Sequence, residues 1–454
     1  MQQKRKFGFL TTIAMIAGIV IGSGIFFKTD DILSAVGGNL LLSSLGWVLG
    51  AIGIIFGGLT VAQYAKKEDT VGGIITYSEM AWGKTMGYLA GWFQVVFYYP
   101  ALVAIIAWVA ASYILVLFGA PGPFSSGEFT SFSWLLTVLL MVVFFLFNSF
   151  ATVYAGKFQS FALIIKVSAL LVLAFLGLVF GNPVTALRAA STGGSMSGLF
   201  VALISIGFAY DGWLVAPSIA HEIKNPKRNL PLALAVAPIL IMLIYLGYTI
   251  GISSLLGVDQ VMGLGNAAVG EVATRFFGPI GPKLVFTAVV ISILGTFNGL
   301  ILGYIRLPYA LAVRDEIFMS QKLSVIHKKF DIPLASALLT FVISFVWLIL
   351  HFMSTSGVVT YGIMLFDGLE IDGLPIVLTY VFYVTLYIGV MVRKKKDNLS
   401  FINGVVFPLL ATLGALLVIY GGFTAPKFNV YFVISLIGIV AGLLVRPKQN
   451  TKKA

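Results

Sequence analysis

The chain has 454 residues, 59% hydrophobic and only 10% charged, with a mean hydropathy of +1.01; a soluble domain is nearer half apolar and a quarter charged, so this is an integral membrane protein. It contains no cysteine, which excludes disulfides, a disulfide-linked partner subunit, thiolate metal sites and a cysteine nucleophile. The formal charge of +12 raises nucleic acid as a partner, which the placement of the basic residues then removes, and His221, His327 and His351 are too scattered for a metal motif.

Apolar runs of about 20 residues, enough to cross a bilayer, predict an all-α polytopic protein of twelve spans. They fall near 8–34, 41–64, 86–117, 132–150, 157–181, 197–220, 230–256, 284–313, 333–353, 373–392, 400–421 and 428–445. The first follows Lys4-Arg5-Lys6, is too long for a signal-peptide core and lacks an Ala-x-Ala cleavage site, so it reads as a transmembrane helix. Most of the 29 lysines and arginines lie at the termini and in the loops after even-numbered spans. The positive-inside rule therefore places both termini in the cytoplasm, and the net charge reports topology.

The first span is interrupted by Ile21-Gly22-Ser23-Gly24-Ile25-Phe26. Two glycines around a serine at mid-membrane permit unwinding, which frees backbone groups for a ligand, or else simply close helix packing. In the third span, Tyr98-Tyr99 before Pro100 predicts a kink. Lys166 lies nine residues into the fifth span, about 14 Å deep at 1.5 Å per residue. An intramembrane cation must face the bundle interior and have partners, and is a functional candidate by default.

The sixth span is interrupted too, where Phe208-Ala209-Tyr210-Asp211-Gly212-Trp213 sets a charge and a glycine near its middle. Spans 1 and 6 enter from opposite sides, and glycine-interrupted helices at corresponding places in two halves point to a transporter site at an inverted-repeat interface. The expected repeats are spans 1–5 over residues 1–181 and spans 6–10 over 197–392, with spans 11–12 over 400–445 added to a single transporter domain. Asp211 is read as an N-cap of the helix that resumes after it, or as a counter-ion to the ligand. Tyr245 and Tyr248 in span 7 are candidates to offer a hydroxyl, Tyr248 preferred. Ser292, Thr296 and Asn298 in span 8 are expected to bond helix to helix, and Arg306 to snorkel. Residues 354–372, with Asp367, Glu370 and Asp372, are expected outside the membrane.

These residues resemble a known family. The GSGIF run at 22–26 is similar to the signature in helix 1 of the amino acid–polyamine–organocation superfamily. Gly72-Gly73-Ile74-Ile75-Thr76-Tyr77 with Gly91-Trp92 resembles its segment between helices 2 and 3. Residues 208–213, followed by Glu222-Ile223-Lys224-Asn225-Pro226-Lys227-Arg228-Asn229-Leu230-Pro231, look like the corresponding run of its L-type amino acid transporter family. Arg314-Asp315 and Leu323-Ser324-Val325-Ile326-His327 resemble the loop after helix 8. The likeness is greatest to bacterial alanine–serine–cysteine exchangers. It implies a LeuT-like 5+5 inverted-repeat fold and sodium-independent exchange of small neutral L-amino acids across a bacterial plasma membrane.

The resemblance also implies a site. The substrate carboxylate would meet N–H groups at Ser23, Gly24 and Ile25, beside Gly22, and the ammonium would meet carbonyls at Ile21, Phe208 and Ala209. Phe208 would be a gate, and the Lys166 ammonium would stand where sodium-coupled relatives hold an ion. No cofactor, metal or nucleic acid is expected; the partners are an amino acid and the lipid bilayer. Proton-coupled uptake, or a cationic substrate paired with Asp211, stays open as the alternative. A membrane-embedded enzyme is disfavoured for want of a nucleophile or metal cluster, and a sensor for want of an output domain.

Overall fold

Backbone groups in lipid must pair within the chain, and the long apolar runs satisfy this as helices. A computed structural model describes residues 8–447 except Ser23, 68–72, 120–130, 190–193, 215–222, 356–358, 361–362, 365–370, Asp372 and 425–426. In chain order the helices are α1 (Phe9–Val20), α2 (Gly24–Ala35), α3 (Leu40–Ala65), α4 (Ile74–Trp82), α5 (Lys84–Phe93), α6 (Tyr99–Leu117), α7 (Ser131–Phe150), α8 (Thr152–Phe180), α9 (Pro183–Ala189) and α10 (Met196–Ala209). Then come α11 (Pro226–Leu256), α12 (Val258–Leu264), α13 (Ala268–Phe277), α14 (Gly281–Tyr304), α15 (Arg306–Val313), α16 (Ser320–Leu323), α17 (Leu334–Thr355), α18 (Gly373–Arg393), α19 (Phe407–Thr424) and α20 (Phe428–Val445).

Among the described residues, ten helices are long and apolar enough to cross a membrane. They correspond to the expected spans 2–5 and 7–12. Spans 1 and 6 are not among them, because each begins as a short apolar helix, α1 or α10, that stops at its glycine-containing interruption. The expected eighth span divides at Ile305 into α14 and α15. Helices α4, α9, α12 and α13 have no counterpart in a count of apolar runs, since each is far shorter than the about 20 residues that such a count detects. Within 354–372, Val359–Thr360 and Ile363–Met364 pair as antiparallel strands, while Asp367, Glu370 and Asp372 lie outside the described residues.

Helices α5 and α6 form one rod from Lys84 to Leu117, joined by a π-helical turn over Gln94–Tyr98. A π-turn lies at the place where the kink was expected. Pro100 has no N–H, so carbonyls one turn before it lose a donor. The Tyr304 hydroxyl on α14 donates to the Val95 carbonyl, and the Trp347 indole on α17 donates to the Val96 carbonyl at 2.7 Å. The rod packs against α7, α14 and α17, and it is the most enclosed of the ten long helices. Around it, α11 packs on α8, α3 and α1, and α2 lies along α10.

The basic loops carry ion pairs that pin helix ends. Arg314 contacts Glu79 at 2.8 Å and Thr76 at 2.9 Å, fixing α4. Asp397 receives Lys67 at 2.9 Å and Arg393 at 3.0 Å. Burial works to raise the Asp397 carboxyl, but the hydrogen bonds from Lys67 and Arg393 outweigh it and hold the group below the ordinary aspartate range.

Candidate functional site: two interrupted helices

Helix α1 ends at Val20, and Ile21 is extended (φ −68°, ψ 96°) before α2 begins at Gly24. Ser23, predicted to contact the ligand, lies outside the described residues. A helix end leaves its last carbonyls without intrahelical partners, and here two side chains from other helices take them. Buried Lys166 on α8 donates from Nζ to the Gly18 carbonyl at 2.6 Å, and Tyr245 on α11 donates to the Val20 carbonyl at 3.2 Å.

Helix α10 ends in the same way. After Ala209 the chain turns through 210–214, with Gly212 at φ +96°, a region that favours glycine. The Tyr245 hydroxyl also reaches the Ala209 carbonyl at 3.0 Å, so one side chain spans the carbonyl ends of both broken helices. Tyr210 donates to the Trp47 carbonyl at 3.0 Å, and Tyr98, the last residue of the π-turn, donates its hydroxyl to the Asp211 carboxylate. The helix that Asp211 was expected to cap would begin in residues partly outside the described set.

The two breaks face one another closely. A Cβ added to Gly24 would stand 2.5 Å from the Ala209 Cα, and one added to Gly212 would stand 2.6 Å from the Ile19 Cγ2. Gly22 presses against α14, where a Cβ would meet the Thr296 Oγ1 at 2.7 Å. Glycine at 24 lets the two backbones approach, while Gly22 and Gly212 leave room for the Thr296 and Ile19 side chains, and the contact brings Ile21, Gly22, Gly24, Ile25, Phe208 and Ala209 into one buried patch.

The remaining candidates flank it. Phe208 is buried, with the Lys28 ammonium 5.7 Å from its ring centroid. Tyr248 is buried edge-on to Phe26 at 5.6 Å between centroids, while it is Tyr245 whose hydroxyl meets both breaks. Asn298 bonds Asn148 at 3.0 Å and the Ala155 carbonyl at 3.0 Å, linking α14 to α7 and α8. Thr296 bonds the Ser292 carbonyl within its own helix, and Arg306 reaches back to the Leu302 carbonyl at 2.6 Å. Among the described residues no group of three or more histidines or carboxylates is placed to hold a metal ion.

Two features were missed in the sequence: the Tyr98–Asp211 bond and the bridging role of Tyr245. Helical periodicity puts Tyr245 and Tyr248 on one face, three residues apart. It does not say which one meets residues that are distant in the chain.

A sequence model of the amino acid permease family matches residues 7–445. The serine/threonine exchanger SteT of Bacillus subtilis is 28% identical over 456 residues, covering 99% of this chain and 98% of that protein. The human Asc-type amino acid transporter 1 is 25% identical, covering 79% of this chain and 70% of its own length. The aspartate–proton symporter of Bacillus subtilis is 28% identical over 359 residues, covering 73% of this chain and 64% of its own length.

Proposed function

Because the chain belongs to the amino acid permease family, we propose that it exchanges small neutral L-amino acids, such as alanine and serine, across the plasma membrane of a bacterium, without sodium and by alternating access. The observation that carries this reading is the apposition of two interrupted helices at Gly24 and Ala209, with Tyr245 joining their carbonyl ends. Unwound helix ends offer donors to a carboxylate and acceptors to an ammonium, which all α-amino acids share. In this proposal the N–H groups of Ser23, Gly24 and Ile25 take the carboxylate, and the carbonyls of Ile21, Phe208 and Ala209 take the ammonium. The Ala209 carbonyl has two lone pairs, so it accepts Tyr245 and the ammonium together. Phe208 gates the site, and Tyr248 packs its wall through Phe26.

Lys166, bonded to the Gly18 carbonyl, supplies a fixed hydrogen-bond donor beside the α1 break, which suits transport that needs no sodium. The architecture proposed is twelve spans with both termini cytoplasmic, in which spans 1–5 and 6–10 are inverted repeats and spans 11–12 are additions. Exchange then proceeds by rocking of spans 1, 2, 6 and 7 against spans 3, 4, 8 and 9.

Counterflow in proteoliposomes tests this, with unlabelled L-alanine inside and labelled L-serine outside in sodium-free buffer at two pH values. Uptake that requires internal amino acid and ignores the proton gradient is expected. Uptake into empty vesicles driven by protons would instead support coupled symport. Asp211 in the α10 break and the likeness to an aspartate–proton symporter favour that second reading. No uptake of any amino acid would refute the transport reading.

A further inference from the structure

Asp211 lies between two residues that touch the first break, Ala209 against Gly24 and Gly212 against Ile19, so it belongs to the surface that the proposed substrate meets. Among the described residues it forms no salt bridge with a lysine or arginine; its carboxylate accepts from the Tyr98 hydroxyl and from the Gly212 backbone N–H. Tyr99, Tyr380 and Tyr383 stand within electrostatic range and add phenol rings without a cation. A carboxylate within a span seeks a positive or hydrogen-bonding partner, because leaving it bare is costly. Tyr98 meets that need from the rod α5–α6, where the π-turn before Pro100 carries its ring, with Phe93 and Tyr99 beside it at 6.2 Å and 5.1 Å between centroids.

We propose that Tyr98 determines specificity: its hydroxyl, together with the Gly212 N–H, takes up lone pairs of the Asp211 carboxylate and so weakens its pull on the side chain of a cationic amino acid. Among the described residues of the two breaks, the carboxylate able to pair with an ammonium or guanidinium is already bonded to the protein, which favours neutral side chains. Removing the hydroxyl leaves the carboxylate with the Gly212 N–H alone, and a lysine side chain then becomes its best added partner. This inference rests on the exchange reading above.

The test is counterflow of labelled L-lysine against internal L-alanine, with alanine–alanine exchange measured in the same vesicles. The unaltered protein is expected to exchange alanine and not lysine. Tyr98→Phe, which keeps the ring and loses only the oxygen, is expected to raise lysine uptake at least tenfold, and Asp211→Asn added to it is expected to abolish the gain. If Tyr98→Phe does not reach the membrane folded, Tyr98→Leu removes the same hydroxyl and carries the same expectation. Lysine uptake by the unaltered protein equal to its alanine uptake would overturn the proposal. So would a hydroxyl-less variant that exchanges alanine but takes up no more lysine than before, or a lysine gain that survives Asp211→Asn. Failure of the unaltered protein to exchange any amino acid would instead remove the transport reading, and this inference with it.

Discussion

Replacing Lys166 with methionine separates the energetic and functional roles of the buried ammonium. The side chain is fully buried and its Nζ sits 2.6 Å from the Gly18 carbonyl, tying α8 to the last turn of α1. Methionine keeps most of the volume and removes the charge. That relieves an insertion cost of about 2.5–3.5 kcal/mol for a cation at mid-span, while losing a charge-assisted hydrogen bond that contributes about 1.5–3 kcal/mol. The two terms nearly cancel, so yield and melting temperature in detergent should change little. Transport should not escape, because the lost bond holds α1 in one position. Removing a bias of about 1.5–3 kcal/mol shifts the balance between states about 10- to 100-fold, at about 1.4 kcal/mol per decade. The assay is counterflow in vesicles of known orientation, with the half-saturating alanine concentration measured from each face. A tenfold or greater change on at least one face is expected. Unchanged values on both faces, from protein that melts normally, would refute the coupling of Lys166 to the α1 break.

Three further outcomes are expected. Gly24→Ala drives a Cβ into the Ala209 backbone and should abolish exchange, whereas Gly22→Ala meets only the Thr296 side chain and should be rescued by Thr296→Ala, both read by alanine counterflow. Tyr245→Phe removes the hydroxyl whose one proton is shared between the Val20 and Ala209 carbonyls and costs about 0.5–1.5 kcal/mol in all; it should lower alanine affinity several-fold with little loss of yield, and unaltered affinity would remove the bridge from the mechanism. Asp397→Asn should lower the melting temperature at neutral pH, because Lys67 and Arg393 hold this carboxyl below its unfolded value. The stability from that depressed group is complete above the unfolded pKa of about 3.9 and is lost as pH falls through the folded value; the gap between the two proteins should therefore narrow as pH falls from about 5 towards 3.

Much of this architecture was legible because lipid imposes a simple grammar. The long apolar runs predicted their helices to within a few residues in most cases, and the interruptions at Gly22 and at Asp211-Gly212 fall where helices α1 and α10 end. Lys166 stood out because a charge within a span has few explanations. What stayed hidden depends on how helices roll about their axes. Periodicity places Tyr245 and Tyr248 together, but only the packing of α11 against α1 and α3 selects Tyr245 as the bridge. The Tyr98–Asp211 bond joins residues 113 apart in the chain through a π-turn that Pro100 merely hints at. Helix α4 eluded the hydropathy count because it is short, held by Arg314 and by the Arg393 bond to the Met80 carbonyl rather than by lipid.

The π-turn before Pro100 also bears on how the protein is made. The carbonyls of Val95 and Val96 receive their bonds from Tyr304 and Trp347, partners 209 and 251 residues later in the chain. A ribosome adds roughly 5–20 residues per second, so this rod enters the bilayer many seconds before its backbone can be completed. Through that interval two polar groups wait without their final donors in a segment destined to be surrounded by protein. The nascent rod therefore has reason to linger beside the insertion machinery, or to borrow bonds from earlier helices, until α14 and α17 arrive. A chain truncated before Tyr304 would leave both of these carbonyls without the donors that bond them in the folded protein.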